Sequence, residues 1–554
     1  MASSTVASAT EPTELKGQSP SFGWAGGLLV VAFVLAGLWL RLRGLSAEGF
    51  NDDEVHKWLA ALRYLHGDFG GDDLEHPMLM KSLIALAVAA GRKELPLETL
   101  TRLPSALAGG LTVGAVALLG KRLFGVLGGL FAAGLLAFST AAIGYHRVAK
   151  EDALLTLFFV LCLLCLCEAQ AAAEDRRTSD QARCEALSAL FLGAAFASKY
   201  FFFYFPIPVL AYLWMRPVST WRVPFFRWLT LVALALCVFL ILNFAVLLPS
   251  SWGYYLPYMR GEHVGGDRGV SESIVFMGRL YGNMAFDRRA SPFYYFPVFF
   301  AVKLAPTTAV LAACGLVLAL VRRAPAHRLL LVWLFIFWLT FEVAGAKYAR
   351  FSVDAFPAVV LLAGYAAASL CRLALKQVRL LAAAPKPALG AALTLCLFPE
   401  ALVSLEHGPH YRLYVNAFGG GDARVDFFYP HCDYFDVGVR EAIAWVASHA
   451  EPGAVVASEV DWTVRLYAPL FGRKDLVSSP ILPSAACGGV APCYVLVEPG
   501  RLYWHNEAAL GLLALKRPVH LERVEKQTAV SVYRLAAGEA LFPPETGKGT
   551  LASP

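Results

Sequence analysis

The sequence predicts a polytopic α-helical membrane protein that ends in a soluble α/β domain. Of its 554 residues, 57% are hydrophobic and only 16% are charged, and the mean hydropathy is +0.55. A water-soluble chain usually has about 25% charged residues. Many apolar runs approach the roughly 20 residues that cross a bilayer core. Because these runs stop near residue 405, the remaining chain is predicted to lie outside the membrane.

About eleven apolar runs are predicted to span the membrane. They cover residues 23–40, 99–119, 124–145, 153–172, 186–197, 200–214, 228–248, 293–320, 329–343, 355–375 and 388–405. The run at 76–92 contains Lys81 and is short. We predict that it is an interfacial helix, because a crossing here would invert every later loop.

Positive charge sets the predicted orientation. A cytoplasmic N-terminus places the basic clusters at 121–122, 176–177, 216–227, 322–328 and 372–379 inside, as the positive-inside rule requires. The exceptions are Arg41 and Arg43, which this orientation places outside. The predicted organisation is then a disordered cytoplasmic tail, a membrane domain with two long outer loops, and an extracytoplasmic α/β domain. These regions are residues 1–22, 23–405 (with loops 45–98 and 247–292) and 406–554.

The C-terminal region alternates predicted helices and strands, which is typical of a small α/β domain. Helices are predicted at 436–450 and 506–515, and strands at 453–459, 494–497 and within 520–535. Cys487 and Cys493 lie close together here. An oxidising compartment permits a disulfide between them, and the spacing alone leaves both the bonded and the free state open.

Ionisable residues gather at the predicted outer ends of the spans. Such residues are costly at membrane depth and need a partner or a function. Carboxylates come first along the chain and cations come later. The carboxylates are Asp52, Asp53, Glu54, Glu75 and Asp152, and the cations are Arg147, Lys150, Lys199, Lys303, Lys347 and Arg350. The structural alternatives are a solvated acidic helix start for the first group and boundary cations for the second.

This order of charges suits an anionic, lipid-linked substrate. Cations would hold a departing phosphate, and one carboxylate would deprotonate the attacking group. Phosphate leaves readily, so no second carboxylic acid is required, unlike in glycoside hydrolases. The Lys and Arg residues do not form a basic face, so no nucleic-acid partner is predicted.

Several short motifs occur in a characteristic order. The first outer loop contains Asp53-Glu54-Val55-His56 and Glu75-His76-Pro77-Met78-Leu79, and Arg102-Leu103-Pro104 opens the next span. Lys303-Leu304-Ala305-Pro306 and Lys347-Tyr348-Ala349-Arg350 follow. Over roughly residues 24–370, the chain resembles GT-C glycosyltransferases of the protein O-mannosyltransferase and lipid A aminoarabinose transferase group. Met78 replaces a second proline, and Leu304-Ala305 stands where relatives have threonine before the proline.

The resemblance implies a role for each matching residue. Asp53 would be the catalytic base, Glu54 a supporting or acceptor-positioning carboxylate, and Asp152 the second acidic position. Asp52 is the rival for the base, because the alignment could shift by one. The implied phosphate-binding cations are Arg147, Lys199, Lys303, Lys347 and Arg350, and the implied acceptor or sugar site contains His56, His76 and His263. No cofactor is required and no metal site is predicted, although a divalent metal near His76 or His263 is possible.

The resemblance further implies a polyprenyl-phosphate-sugar donor and one inverting displacement. The third outer loop is too short for the β-rich domain of eukaryotic mannosyltransferases, which favours a bacterial inner-membrane enzyme. The acceptor stays open among a protein hydroxyl, a lipid A-like phosphate and another envelope glycan. Two other classes are a secondary transporter, which would place its charges near the bilayer midplane within repeats, and a non-catalytic polyprenyl-phosphate- or glycan-binding protein.

Overall fold

A computed structural model describes residues 21–542, except 71–72, 92–93, 216–224, 261–272, 285–288, 344–345, 483–486 and 490. The predicted tail 1–22 therefore lies almost wholly outside the described residues. The α-helices up to residue 406 are α1 (Gly23–Leu42), α2 (Asp52–Tyr64), α3 (Met78–Ala90), α4 (Leu97–Phe138), α5 (Thr140–His146), α6 (Asp152–Glu174), α7 (Thr178–Ser198), α8 (Pro206–Met215), α9 (Phe225–Leu242), α10 (Pro249–Met259), α11 (Tyr295–Lys303), α12 (Pro306–Arg322), α13 (Pro325–Val343), α14 (Phe356–Gln377), α15 (Arg379–Ala383) and α16 (Pro385–Glu406).

The predicted polytopic helical architecture is confirmed. Within the described ranges, 7 helical segments are long and apolar enough to cross a membrane. One of them, α4, is broken at Gly125, whose φ of 82° is a conformation that glycine adopts readily. The helix α4 therefore accounts for the predicted spans 99–119 and most of 124–145. The helices α7, α8 and α12 fall in the predicted spans 186–197, 200–214 and 293–320.

Two predicted spans are interrupted. The run 124–145 breaks at Ser139, whose side chain caps α5 by accepting a hydrogen bond from the Ala142 amide. The run 293–320 breaks between Lys303 and Pro306, because Pro306 lies at the start of α12 and cannot donate a backbone hydrogen bond to a preceding turn. As a result, Arg147 directly follows α5 and Lys303 ends α11, two of the predicted phosphate cations.

The helix α3 has 13 residues, which corresponds to about 20 Å. A hydrocarbon core is about 30 Å thick, so α3 is too short to cross it alone. Its Lys81 is fully buried, and its ammonium group donates to the carbonyl oxygens of Asp73 and His76. The interfacial position of α3 stays a prediction.

The membrane-domain core forms around α4, which packs against α1, α6 and α14. Close helix packing depends on small residues, as is usual in membrane proteins. A Cβ atom added at Gly315 of α12 would lie 2.1 Å from the Leu362 carbonyl oxygen of α14. These two helices could not approach as closely with any larger residue at that position.

The C-terminal region forms the predicted α/β sheet. Its helices are α17 (Val425–Phe428), α18 (Pro430–Tyr434), α19 (Val439–His449), α20 (Asp461–Leu470) and α21 (Glu507–Leu513). The strands of the chain are β1 (Ser273–Phe276) and β2 (Arg279–Gly282), a hairpin in the third outer loop, then β3 (Val455–Ala457), β4 (Val477–Ser479), β5 (Cys493–Val497), β6 (His520–Val524) and β7 (Gln527–Leu535). The sheet order is β4-β3-β5-β7-β6, with β3 parallel to both neighbours and β7 antiparallel to both of its own.

Some details of this region differ from the prediction. Residues 520–535 form a hairpin with a turn at Glu525 (φ 54°), and α20 and β4 were not predicted. Cys487 and Cys493 are joined in a disulfide. The segment before the sheet also packs onto the membrane helices, since the Tyr411 hydroxyl donates to the Leu40 carbonyl over 3.2 Å. The C-terminal region is therefore seated on the ends of the membrane helices.

Candidate active site

The first turn of α2 carries the acidic motif. Asn51 caps the helix: its side chain accepts a hydrogen bond from the Glu54 amide (3.0 Å), and the Glu54 carboxylate accepts one from the Asn51 amide (3.2 Å). Such a reciprocal cap fixes where a helix begins. It fixes Asp53 at the second position of the helix, where the helix dipole favours a carboxylate.

Asp53 lies between two cations. Its Oδ2 atom is 2.7 Å from Lys150 Nζ and 3.6 Å from Arg350 Nη2. The side chain remains 23% exposed, which leaves the carboxylate accessible from one side. Burial alone would raise the pKa of Asp53, but the positive charges of Lys150 and Arg350 outweigh it and hold the pKa well below its usual value. Asp53 is therefore ionised at neutral pH.

The Glu54 side chain does not share the partners of Asp53, and it is fully buried. Arg102 donates to both of its oxygens, at 2.8 Å and 2.6 Å, and the Ala149 amide donates to Oε1 at 2.8 Å. Both oxygens are therefore occupied by the protein. This geometry supports the structural half of the predicted role, in which Glu54 holds α2 against α4 and the loop before α6.

Asp152 forms an ion pair with Lys199. The Lys199 ammonium lies 4.0 Å and 4.1 Å from the ring centres of Phe201 and Phe351, a favourable cation–π geometry. The predicted second acid and a predicted phosphate cation thus neutralise each other, where α6 begins and α7 ends.

The other predicted phosphate cations also have protein partners. Arg147 donates to the backbone carbonyls of Leu40, Arg41, Arg43 and Gly44. Lys303 is buried, with its ammonium 2.8 Å from Asp433 Oδ2. Lys347 lies 2.6 Å from Glu342 Oε2. Of the five predicted cations, Arg350 is the one that the structure brings to Asp53.

Lys150 is the cation that the resemblance did not select. Its position between Arg147 and Asp152, in the predicted second outer loop, was the sequence feature that could have marked Lys150 as a site residue. The sequence does not show, however, which cation of that loop faces α2. Arg350 is held from the other side by aromatic rings, with its guanidinium carbon 4.2 Å from the Tyr348 ring centre and 5.3 Å from that of Phe435. Phe435 belongs to the C-terminal region, which therefore borders the site.

Of the three predicted histidines, the structure describes His56 and His76, which have different neighbours. His56 packs edge-on against Trp462 of α20, at 5.0 Å between ring centres. His76 Nδ1 lies 2.6 Å from Asp73 Oδ1, and its Nε2 is 3.9 Å from Glu151 Oε2. His263 lies outside the described residues. Their predicted role toward the acceptor or sugar remains a prediction.

Asp73, His76 and Glu151 could in principle hold a metal ion, since their ligand atoms lie within 4.8 Å of one another. Lys57, however, lies 3.1 Å from Glu151 and 3.6 Å from Asp73, and Lys81 lies 3.6 Å from Asp73. Burial favours the neutral form of Glu151, but the positive charges of His76, Lys57 and Lys150 outweigh it and lower the pKa of Glu151 to about 2. Because the two ammonium groups already balance the two carboxylates, the cluster does not fit a divalent cation.

A variant of Lys303 separates a structural from a phosphate-binding role. We expect Lys303→Met to lower the free energy of unfolding by about 3–5 kcal/mol, because Asp433 would remain buried without its counter-charge. Asp433→Leu added to Lys303→Met should recover most of that loss. Thermal unfolding in detergent measures both. A well-folded single variant that has lost affinity for a polyprenyl phosphate would instead support the predicted phosphate contact.

Comparison with known proteins agrees with this architecture. Residues 75–242 match the family model of the dolichyl-phosphate-mannose-protein mannosyltransferases. The whole structure resembles the apo crystal structure of ArnT from Cupriavidus metallidurans, with a TM-score of 0.51, 15% sequence identity, and coverage of 94% of this chain and 100% of that chain. The chain has a GT-C fold. The predicted resemblance to the GT-C glycosyltransferase group is thereby confirmed.

The same GT-C fold is seen in ArnT from Cupriavidus metallidurans bound to undecaprenyl phosphate. That structure matches with a TM-score of 0.51, 14% identity, and coverage of 95% of this chain and 100% of that chain. A search of curated proteins gave no significant match. The GT-C fold therefore rests on the family segment and on these structures.

Proposed function

We propose that this protein transfers a sugar from a polyprenyl-phosphate-linked donor to an acceptor outside the cytoplasm. The observation that carries the proposal is the partly exposed Asp53 carboxylate between Lys150 and Arg350, in a GT-C helical domain. A carboxylate and two cations are what one displacement at a sugar phosphate requires: a base for the acceptor, and positive charge for the leaving phosphate.

The proposed reaction proceeds in one step. Asp53 removes the proton of the acceptor hydroxyl, and the acceptor oxygen forms a bond to the anomeric carbon. The bond from that carbon to the phosphate oxygen breaks, and the phosphate leaves with the electron pair, its charge held by Lys150 and Arg350. Attack comes from the face opposite the phosphate, so the configuration inverts. The proton ends on Asp53 and the polyprenyl phosphate is released.

Donor binding would also activate the base. Lys150 Nζ lies 2.7 Å from Asp53 Oδ2 and helps to keep the pKa of this carboxyl low. A phosphate between Lys150 and Arg350 competes with Asp53 for both cations. The carboxylate then loses part of its stabilisation, so its pKa rises and it becomes a stronger base. The proposed sequence is therefore donor binding first and proton removal second.

An apolar cavity of about 500 Å³ supports a lipid-linked donor. It lies between α7, α8 and α9, and Phe196, Phe202 and Phe239 are among its lining residues. Phe351 connects this region to the site, since its ring lies 5.8 Å from that of Phe201 and 5.6 Å from the Arg350 guanidinium. Phe201 directly precedes the lining residue Phe202, so we propose that an isoprenoid chain in the cavity directs its phosphate toward Arg350.

The location of the charges favours a transferase over a secondary transporter. Asp53 lies in the first turn of α2, Lys150 precedes α6 and Arg350 precedes α14. These are helix ends, whereas transporter sites form near the bilayer midplane. We also propose the predicted setting: a bacterial inner membrane, a cytoplasmic N-terminus and an external C-terminal region. The acceptor class remains a protein hydroxyl or an envelope glycolipid.

The proposal is tested by incubating membranes that contain the protein with labelled mannose, glucose and aminoarabinose polyprenyl phosphates. Consumption of one donor, with label appearing in protein or lipid, is the expected result. No consumption of any donor, while active relatives consume theirs, would contradict the proposal. Uptake of free sugar or drug into vesicles without donor consumption would favour a transporter.

The two cations give a sharper test of the phosphate site. We expect Lys150→Gln and Arg350→Gln each to weaken donor binding by about 10–100-fold, because each removes a charge-assisted hydrogen bond worth about 1.5–3 kcal/mol. Arg473→Gln is the matched control: it removes one partly buried positive charge in the C-terminal domain, where Arg473 pairs with Asp475. Binding of labelled undecaprenyl phosphate in detergent measures the effect. Equal affinities in the control and both site variants would overturn the assignment.

A further inference from the structure

Arg501 lies just after β5 in the C-terminal domain and is buried. Its Nε and Nη2 atoms donate to the two oxygens of Asp436, at 2.7 Å and 2.6 Å. The same Nη2 atom lies 3.0 Å from Asp52 Oδ2. Such two-point contacts fix a carboxylate in both position and orientation.

Two further hydrogen bonds continue from this pair to Asp53. The Asp52 amide donates to Asp436 Oδ2 at 2.9 Å, and the Asp53 amide donates to Asp52 Oδ1 at 2.7 Å. Amides in the first turn of a helix have no partner within the helix. The amides of Asp52 and Asp53 are therefore satisfied through Asp436 and the Asp52 side chain, which Arg501 holds.

The backbone beside Asp436 is shaped for this contact. Phe435 and Asp436 have φ values of 42° and 65°, in the left-handed region that residues other than glycine rarely adopt. Strained residues of this kind persist where the surrounding structure holds them, often at functional sites. This conformation directs the Phe435 ring to Arg350 and the Asp436 carboxylate to Asp52.

Glu498 completes the cluster. Burial, together with the negative charge of Asp436 beside it, raises the pKa of Glu498 well above its usual value and so disfavours a third charged carboxylate here. The charged groups are then the carboxylates of Asp52 and Asp436 and the guanidinium of Arg501. The loss of Arg501 would leave two adjacent carboxylates that repel each other, at the point where α2 begins.

We propose that Arg501, acting through Asp436 and Asp52, is a positioning residue that sets the orientation of Asp53. The C-terminal domain is then part of the active site, not only a cap over it. This inference rests on the proposed function, because it assigns Arg501 a role toward the proposed base. Its structural part, the anchoring of the first turn of α2 by Arg501, is testable without any turnover.

Hydrogen exchange tests the structural part. We expect Arg501→Gln to speed amide exchange at Asp52 and Asp53 by at least about tenfold, because their acceptors would lose a fixed position. Arg440→Gln is the matched control. Arg440 also joins the C-terminal domain to the membrane domain, through Glu98 Oε1 at 3.0 Å, and its contacts do not include the first turn of α2. Unchanged exchange in Arg501→Gln would overturn the inference.

The functional part of the inference is the effect of Arg501 on the catalytic step. It is tested by steady-state kinetics with whichever donor the wild type consumes. We expect Arg501→Gln to lower kcat by about 100-fold with KM for the donor unchanged, because a displaced base affects the chemical step and not phosphate binding. Arg501→Lys should recover about tenfold of this loss, since it keeps the charge but not the two-point geometry. Arg440→Gln should keep the wild-type kcat.

The outcomes separate this inference from the proposed function. If kcat of folded Arg501→Gln equals that of wild type, or if Arg440→Gln loses as much, the positioning role is wrong while the transferase stands. If wild type consumes no donor, the proposed function fails and the kinetic role of Arg501 fails with it. In that case faster exchange in Arg501→Gln alone would still establish the anchor.

Discussion

Replacing Asp53 with asparagine is expected to lower kcat for sugar transfer by about 10²–10⁴-fold, the usual contribution of a general base. The amide has nearly the same shape as the carboxylate but cannot accept the acceptor's proton. Donor binding should not weaken, because Lys150 and Arg350 would lose a competing anion and remain available to the phosphate. The measurement is single-turnover transfer from the labelled donor, with donor affinity determined in parallel.

Asp52→Asn is the matched control for this experiment. It removes a neighbouring carboxylate that contacts Arg501 and the Asp53 amide, so we expect a smaller loss than in Asp53→Asn. A larger loss in Asp52→Asn would transfer the base assignment to Asp52, the rival that the sequence left open. Wild-type kcat in Asp53→Asn would refute the proposed mechanism outright.

Glu54→Gln is expected to lower the free energy of unfolding by about 3–5 kcal/mol, as much as Lys303→Met. The carboxylate is fully buried, and Arg102 donates to both of its oxygens. Glutamine would place an NH₂ donor against the guanidinium and leave the positive charge uncompensated. The measurable result is a strongly lowered Tm in detergent and little folded protein in membranes.

The double variant Glu54→Gln with Arg102→Met identifies the cause. Removing both charges of a buried pair is often nearly neutral, so we expect it to recover much of the stability lost in Glu54→Gln. If Glu54→Gln instead keeps the wild-type Tm but loses transfer with donor binding intact, Glu54 acts on substrate and its assignment here as a supporting residue is incorrect.

Asp53 and Glu54 show where sequence analysis reaches its limit. The motif located both residues, and the structural alternative for them was an acidic helix start. Successive residues on a helix differ by about 100° in direction, so one carboxylate faces the open site and the other faces Arg102. The sequence shows that the two residues are adjacent, but not which of them the surrounding helices enclose.

The sequence likewise did not show which of the predicted cations have partners elsewhere in the protein. Five were predicted to hold phosphate, and Arg350 is the one that the structure brings to Asp53, together with Lys150. Arg147, Lys199, Lys303 and Lys347 have carbonyl or carboxylate partners, most of them distant in sequence. Whether a cation is available to a ligand depends on those partners, which a motif does not contain. His263 lies outside the described residues, so its predicted role remains a prediction.

By itself, the sequence determined the helical membrane architecture, the C-terminal α/β region, the GT-C resemblance and the acidic motif at the start of α2. These features follow from local hydrophobicity and from short motifs, both of which depend only on residues that are close together in the sequence. The tertiary structure alone decided which charges are neutralised, that Lys150 and Arg350 flank Asp53, and that Arg501 reaches the first turn of α2. The physical reason is that electrostatic interactions depend on distance and burial in space, and folding brings together residues that lie hundreds of positions apart in the chain.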